Sequence, residues 1–141
     1  MTRNSQWQKT DGEWRKLLSP QQYQVTVEGQ DDPDFTNPYC GLFEDGTYHC
    51  VRCHLALFSS GDKYEAHTGA PTFSAPLPGP AVTTMPDQRP GHGDTFLVCA
   101  TCHGKLGHLH HDGPPPSGLR YCTNSTAMIF VSKEEARSFE S

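Results

Sequence analysis

The chain has 141 residues, 34% of them hydrophobic, with 6 Cys, 8 His, 12 Pro and 13 Gly. That length suits one domain, and no apolar run approaches the roughly 18–20 residues of a membrane-spanning helix. The formal net charge of −5 opposes the basic footprint of a nucleic-acid binder, so neither a nucleic acid nor a membrane is an expected partner. Residues 1–16 are polar and lack the apolar stretch of a secretory signal. So low an apolar fraction calls for a stabiliser besides a hydrophobic core.

In chain order, Trp14-Arg15-Lys16-Leu17-Leu18 reads as a short amphipathic helix, with Asp11 placed to cap it. Ser19-Pro20-Gln21-Gln22 has the form of a capping box with Pro at the first helical position, predicting a second helix through Tyr23 and Val25. Residues 29–38 are acidic and rich in turn formers, the composition of a surface loop. Thr47-Tyr48-His49-Cys50-Val51 and Ala56-Leu57-Phe58 read as strands flanking a turn. Residues 70–94 hold six Pro and three Gly with no apolar periodicity, and read as one long loop. The strongest strand signals are Thr95-Phe96-Leu97-Val98-Cys99, Leu119-Arg120-Tyr121-Cys122-Thr123 and Ala127-Met128-Ile129-Phe130-Val131. Ser132-Lys133-Glu134-Glu135 is a second capping box opening a terminal helix. The expectation is a mainly β, antiparallel domain filling residues 1–141, with its core over about 14–131 and short helices at both ends.

The cysteines divide into pairs and singles. Cys50-Val51-Arg52-Cys53 and Cys99-Ala100-Thr101-Cys102 are C-x-x-C knuckles separated by 45 residues. A two-residue gap lets both thiolates of a knuckle face one tetrahedral metal, so Cys50, Cys53, Cys99 and Cys102 together suit a closed structural Zn²⁺ site. Redox pairs or disulfides are the alternatives, disfavoured by the lack of a βαβ setting and of a secretory signal. Zinc here would act as a staple, because its binding free energy becomes folding free energy. Cys122 lies two residues after Arg120 and two before Asn124, so in a strand the three share a face. A guanidinium beside a thiol lowers its pKa, and an amide can hydrogen-bond a reacting oxygen. A buried structural cysteine beside a surface arginine accounts for the same triplet.

Further strings join this one. Gly107-His108-Leu109-His110-His111-Asp112-Gly113-Pro114 precedes Arg120-Tyr121-Cys122-Thr123-Asn124-Ser125. Tyr48-His49-Cys50-Val51-Arg52-Cys53, Leu57-Phe58-Ser59-Ser60 and Lys63-Tyr64 come earlier, and Trp14 and Leu18-Ser19-Pro20-Gln21-Gln22-Tyr23 open the chain. In this order they resemble the methionine-R-sulfoxide reductase family, also called MsrB or SelR, from about Trp14 to Val131. The resemblance implies an MsrB/Mss4-like fold of two antiparallel sheets with zinc opposite the active site. It implies that Cys122 is the nucleophile that attacks a sulfoxide sulfur and that His108 protonates the departing oxygen. Asp112, Arg120 and Asn124 would orient and polarise that centre. A second cysteine would then condense with the Cys122 sulfenic acid, and a thioredoxin-like reductant would reopen the disulfide. Imidazole chemistry agrees, since a sulfoxide oxygen leaves only when protonated by an acid near neutral pKa. His108 as an exposed member of a His-rich turn, or as part of a second metal site with His103, His110 and His111, is the competing view.

The chain also departs from the family pattern. The family's Ser-Gly-Cys-Gly-Trp-Pro-Ser-Phe stands here as Ala66-His67-Thr68-Gly69-Ala70-Pro71-Thr72-Phe73. Its pocket tryptophan is therefore Ala70 and its common resolving cysteine Thr68. One pocket histidine is Lys105 and the pocket phenylalanine is His110, while refilling of the indole's space by Phe96 or by the Pro-rich loop would restore ordinary specificity. Loss of an aromatic wall and gain of polarity predict a pocket retuned toward a small, more polar sulfoxide that is not methionine's. Ordinary methionine-R-sulfoxide reduction and a catalytically weak zinc-stapled binding or redox-sensing module are the alternatives. Cys40, in Asn37-Pro38-Tyr39-Cys40-Gly41, matches a position where some family members place a resolving cysteine. A cytoplasmic monomer is expected, since reduced thiols are needed.

Overall fold

The computed structural model describes residues 9–32, 39, 41–66, 69–79, 81–87 and 95–134. Much of the expected acidic loop, the end of the Pro-rich stretch and Glu135 of the C-terminal capping box lie outside that set. Helix α1 (Asp11–Leu17) is capped by Thr10 rather than by Asp11. The Thr10 hydroxyl accepts from the Glu13 N–H, and the Glu13 carboxylate accepts from the Thr10 N–H. Asp11 instead lies in the first turn, where an acidic side chain suits the positive end of the helix. Helix α2 (Pro20–Thr26) starts as expected, with reciprocal Ser19 and Gln22 bonds and Pro20 at its first position. It buries Tyr23 and Val25.

Among the described residues nine strands follow, all in antiparallel pairs. β1 (Gly46–Cys50), β2 (Ala56–Ser59) and β9 (Met128–Ser132) make a three-stranded sheet in the order β2-β1-β9. β3 (Lys63–Tyr64), β4 (Thr72–Phe73), β5 (Val82–Pro86), β6 (Thr95–Cys99), β7 (Lys105–His110) and β8 (Arg120–Thr123) make the larger sheet, in the order β3-β4-β8-β7-β6-β5. The expected class, mainly β with two antiparallel sheets and short helices, is the class observed. At the C-terminal end Lys133 and Glu134 are helical. Residues 70–94 are not one loop, because β4 and β5 lie within them. β5 is a run of β-branched residues ending in Pro86 at the edge of the sheet, the place where a missing N–H is tolerated.

Alternation along the strands sorts side chains between core and cleft. Phe73 and Tyr121, paired across β4 and β8, turn to the smaller sheet. There Phe58 stacks on Phe73 at 4.4 Å and meets Tyr121 edge-on at 6.1 Å, while Tyr48 meets Phe73 at 5.1 Å. Tyr48, Phe58 and Phe73 are fully buried. Their partners in alternation, Thr72 and Cys122, therefore face the other way.

The two knuckles are the same turn used twice. Each starts on the last residue of a strand, Cys50 in β1 and Cys99 in β6, and each closes with the N–H of the residue after its second cysteine bonded to the carbonyl of its first. His54 and His103 fill those closing positions with φ of 67° and 65°. The knuckles thus join the β1–β2 connection of one sheet to the β6–β7 connection of the other. Arg52, inside the first knuckle, donates to the Cys102 carbonyl of the second at 3.0 Å. Its guanidinium lies 3.9 Å over the buried Trp14 ring of α1. One side chain therefore ties both knuckles to the first helix. Arg52→Ala should lower the unfolding free energy by about 2–3 kcal/mol, the worth of a desolvated cation–π contact plus a charged hydrogen bond. Urea unfolding at fixed metal content measures this.

Candidate active site and thiol cluster

Hydrogen-bonded register across the larger sheet lines up one row of side chains. Phe96 pairs with His108, His108 with Cys122, Cys122 with Thr72 and Thr72 with Tyr64. Met85 extends the row to the edge opposite Phe96. Directly opposed residues of an antiparallel pair project to one face, so Cys122 and His108 stand on one face from neighbouring strands. Two residues along each strand, His110 and Arg120 are likewise opposed. Arg120 and Cys122 therefore share a face, as their spacing predicted, and His108 and His110 share it with them. The register depends on an absent side chain. A Cβ on Gly107 would stand 2.0 Å from the Cys122 carbonyl oxygen and 2.8 Å from the Thr123 Cα.

Cys122 is half-buried. Arg120 forms a two-pronged pair with Asp112, Nε to Oδ1 at 2.8 Å and Nη2 to Oδ2 at 3.3 Å. That pair spans the β7–β8 connection, which is narrowed where the Gly113 N–H meets the Gly118 carbonyl at 3.0 Å. The guanidinium holds the Asp112 carboxyl below its usual range. Asp112 in turn raises Arg120, with the nearby Cys122 and Tyr64 adding to the effect. Tyr64 is raised chiefly by burial, against the opposing pull of Arg120.

His108 is buried, with 7% of its surface exposed, and is gripped on three sides. Phe96 stacks on the ring at 4.7 Å and 28°. Nε2 is 3.0 Å from Asp87 Oδ2, and Nδ1 is 3.6 Å from Asp31 Oδ1. Its pKa is raised, first by Asp31 and then by Asp87, against a burial effect that lowers it. It is therefore neither an exposed member of a His-rich turn nor, among the described residues, part of a metal-ligating group.

The remaining expected site residues fall as follows. Asn124, just past β8, is buried. Its carbonyl oxygen accepts from the Asp32 N–H at 2.9 Å, and its Nδ2 faces Asp31 Oδ1 at 3.2 Å and the Leu106 carbonyl at 3.4 Å. Its amide thus fastens the 31–32 segment. Lys105 donates to the Val27 carbonyl at the end of α2 at 2.7 Å, crossing 5.3 Å above the Phe96 ring. The cation expected to colour the pocket is bound to a helix terminus, where positive charge is favoured. Ala70 is half-buried and precedes β4, with its carbonyl accepting the Thr72 hydroxyl at 3.0 Å. Cys40 and Thr68 lie outside the described residues. Sequence reasoning missed Asp31, Asp87, Tyr64 and the whole of strand β7. Outside Asp31 opens a cavity of about 430 Å³ lined by Gln21, Gln24, Gln30 and Asp32 among others.

The Sγ atoms of Cys50, Cys53, Cys99 and Cys102 lie within 4.8 Å of one another. Cys50 and Cys102 are 3.6 Å apart and Cys53 and Cys99 3.5 Å. A tetrahedral ion with about 2.3 Å bonds to sulfur has sulfur–sulfur edges of about 3.8 Å, so the four residues fit such a metal.

The chain is similar to known proteins over most of its length. The SelR domain model matches residues 18–132. The chain is 44% identical to the peptide methionine sulfoxide reductase MsrB of Pseudomonas savastanoi pv. phaseolicola, over 90% of this chain and 97% of that protein. It is 43% identical to the MsrB of Agrobacterium fabrum over 86% and 90% of the two chains. With the MsrB of Acinetobacter baumannii the identity is 41%, over 90% and 91%.

The close approach at Gly107 is open to test. Gly107→Ala should cost about 3 kcal/mol or more, since the added methyl meets backbone that cannot yield without moving β8. Thermal unfolding measures the loss, and labelling of Cys122 by an alkylating reagent should change with it.

Proposed function

The chain belongs to the SelR family, and from that membership we propose that it is a methionine-R-sulfoxide reductase acting on peptide or free methionine sulfoxide. The observation that carries this reading is that half-buried Cys122 and buried His108 are directly opposed across β8 and β7 and share one face. Cys122, as thiolate, attacks the sulfoxide sulfur while the oxygen takes a proton from His108. The oxygen passes to Cys122, leaving a thioether, a sulfenic acid and a neutral imidazole. Substrate sulfur gains two electrons and Cys122 loses two. Arg120, oriented by Asp112, favours the thiolate. The Cys40 thiol then condenses with the sulfenic acid, releasing water, and a thioredoxin-like dithiol reduces the resulting disulfide.

Two observations favour the methionine substrate over the polar sulfoxide expected from the departures in sequence. Relatives at 41–44% identity carry the name peptide methionine sulfoxide reductase. Lys105, the most polar of the changes, is turned to the Val27 carbonyl, and Phe96 supplies an aromatic surface beside His108. Zn²⁺ is the metal that suits four thiolates in a tetrahedron. Held by Cys50, Cys53, Cys99 and Cys102, with no open position, it would brace the two sheets and take no part in the chemistry.

A single-turnover experiment tests the reading. Reduced protein should consume only the R epimer of racemic methionine sulfoxide, with loss of two thiols per turnover, and Cys122→Ser should lower the rate at least about 10³-fold. Consumption of a polar sulfoxide panel without methionine sulfoxide would return the retuned pocket. Peptide mapping should join Cys40 to Cys122. Chelation of the metal should unfold the protein cooperatively, seen by circular dichroism together with stoichiometric zinc release. No described helix is long and apolar enough to cross a membrane.

A further inference from the structure

We propose that Asp87 and Asp31 are positioning residues of the reduction, gripping His108 by its two ring nitrogens. Nε2 thereby remains a fixed donor to Asp87, and Nδ1 is the nitrogen from which the proton leaves. The inference rests on His108 serving as the acid and adds the means by which that acid is loaded and aimed.

The two carboxylates are unlike. The Asp87 side chain has no exposed surface and stands 3.0 Å from Nε2. The Asp31 side chain is 56% exposed and stands 3.6 Å from Nδ1. A carboxylate is an acceptor only, and a neutral imidazole has a single N–H. Only the doubly protonated ring can serve both acids at once. When a proton leaves, the buried Asp87 keeps its N–H partner, whereas the Asp31 end, longer and solvated, gives way. The tautomer of the product imidazole is set in advance, as in any histidine oriented by a buried carboxylate. Phe96, stacked on the ring at 4.7 Å, opposes its rotation.

Neither acid is placed by chance. Asp31 Oδ1 is met by the Asn124 amide at 3.2 Å. Its neighbour Asp32 is buried, accepting from the Thr126 N–H at 2.9 Å and hydroxyl at 2.6 Å, while its own N–H reaches the Asn124 carbonyl oxygen. The segment that carries Asp31 is therefore riveted to the residues directly after β8, the strand of Cys122. Asp87 directly follows β5. Among the described residues, Asp31 and Asp87 meet the His108 ring, Cys122 on β8 lies opposite it in register, and His110 and Arg120 share its face one pair along. Phe96 on β6 is uncharged, and Lys105 on its own strand is drawn to Val27. Both acids favour the charged ring, so the rate should hold above the ordinary histidine range and fall as pH rises through the pKa of His108.

The test reads the ring directly. Long-range ¹⁵N–¹H spectra of the full chain report the protonation and tautomer of His108, and single-turnover rates with methionine-R-sulfoxide are taken across the same pH range. Asp31→Asn and Asp87→Asn should each titrate His108 at lower pH and carry the basic limb of the rate profile with it. The rate at pH 8 should drop about tenfold or more, and Asp87→Glu should recover part of it. Asp87→Asn should also loosen the Nε2–H tautomer. Exposed Asp31 supplies the measurement should Asp87→Asn fail to fold. Titration, tautomer and profile unchanged in the folded variants would overturn the proposal. Wild-type rates in His108→Ala would overturn the acid role itself, a separate outcome that the spectra of the Asp variants do not share.

Discussion

Strand β8 runs so close to β7 that no side chain fits between Gly107 and the Cys122 carbonyl. This contact fixes which residue of one strand opposes which residue of the other. A slip of one position would exchange the two faces, turning the thiol toward Phe58 and sending Tyr121 into the cleft. The neighbouring turn is closed by Gly113 and Gly118 and spanned outside by Asp112 and Arg120, and these hold the same register from the other end. The pairing of Cys122 with His108 is thus a property of the backbone, made before any side chain chooses a rotamer.

The other long-range constraint is the meeting of two identical turns. Cys50 and Cys53 leave the small sheet, Cys99 and Cys102 leave the large one, and Arg52 reaches from the first turn to the carbonyl of the second. Behind them the aromatic core of Tyr48, Phe58 and Phe73 is dense but small. A chain with 34% hydrophobic residues gains from a cross-link that adds stability without adding core. It also keeps the two sheets aligned.

Short-range signals were legible in the sequence because their physics is local. Ser19 and Gln22 satisfy each other's orphan donors within one turn, a C-x-x-C pair needs only its own two-residue gap, and Arg120 and Cys122 share a face by pleat alone. The acidic grip on His108 was not legible. Asp31 and Asp32 sit in a polar stretch that reads as solvated loop, yet Asp32 is buried through bonds to residues 92 and 94 positions away. Asp87 follows a proline within a segment whose composition hid a strand. β7 escaped notice because Lys105-Leu106-Gly107-His108-Leu109-His110 has the glycine and histidines of a turn. It becomes a strand because β6 and β8 pair with it on both sides, a tertiary effect that outweighs propensity. The pocket departures at Ala70, Lys105 and His110 were plain as letters. Their effect was misjudged for Lys105, whose long stem lets the charge leave the site.

The larger sheet also has two margins. One is the two-residue β3, and the other is β5, mostly exposed and finishing in Pro86. Unpaired margins invite other chains to add on, and a very short strand or a terminal proline removes much of the template they would use. The molecule can therefore carry Val82, Thr83, Thr84 and Met85 on a rim strand, a stretch prone to aggregation in a flatter setting, and still discourage self-association there.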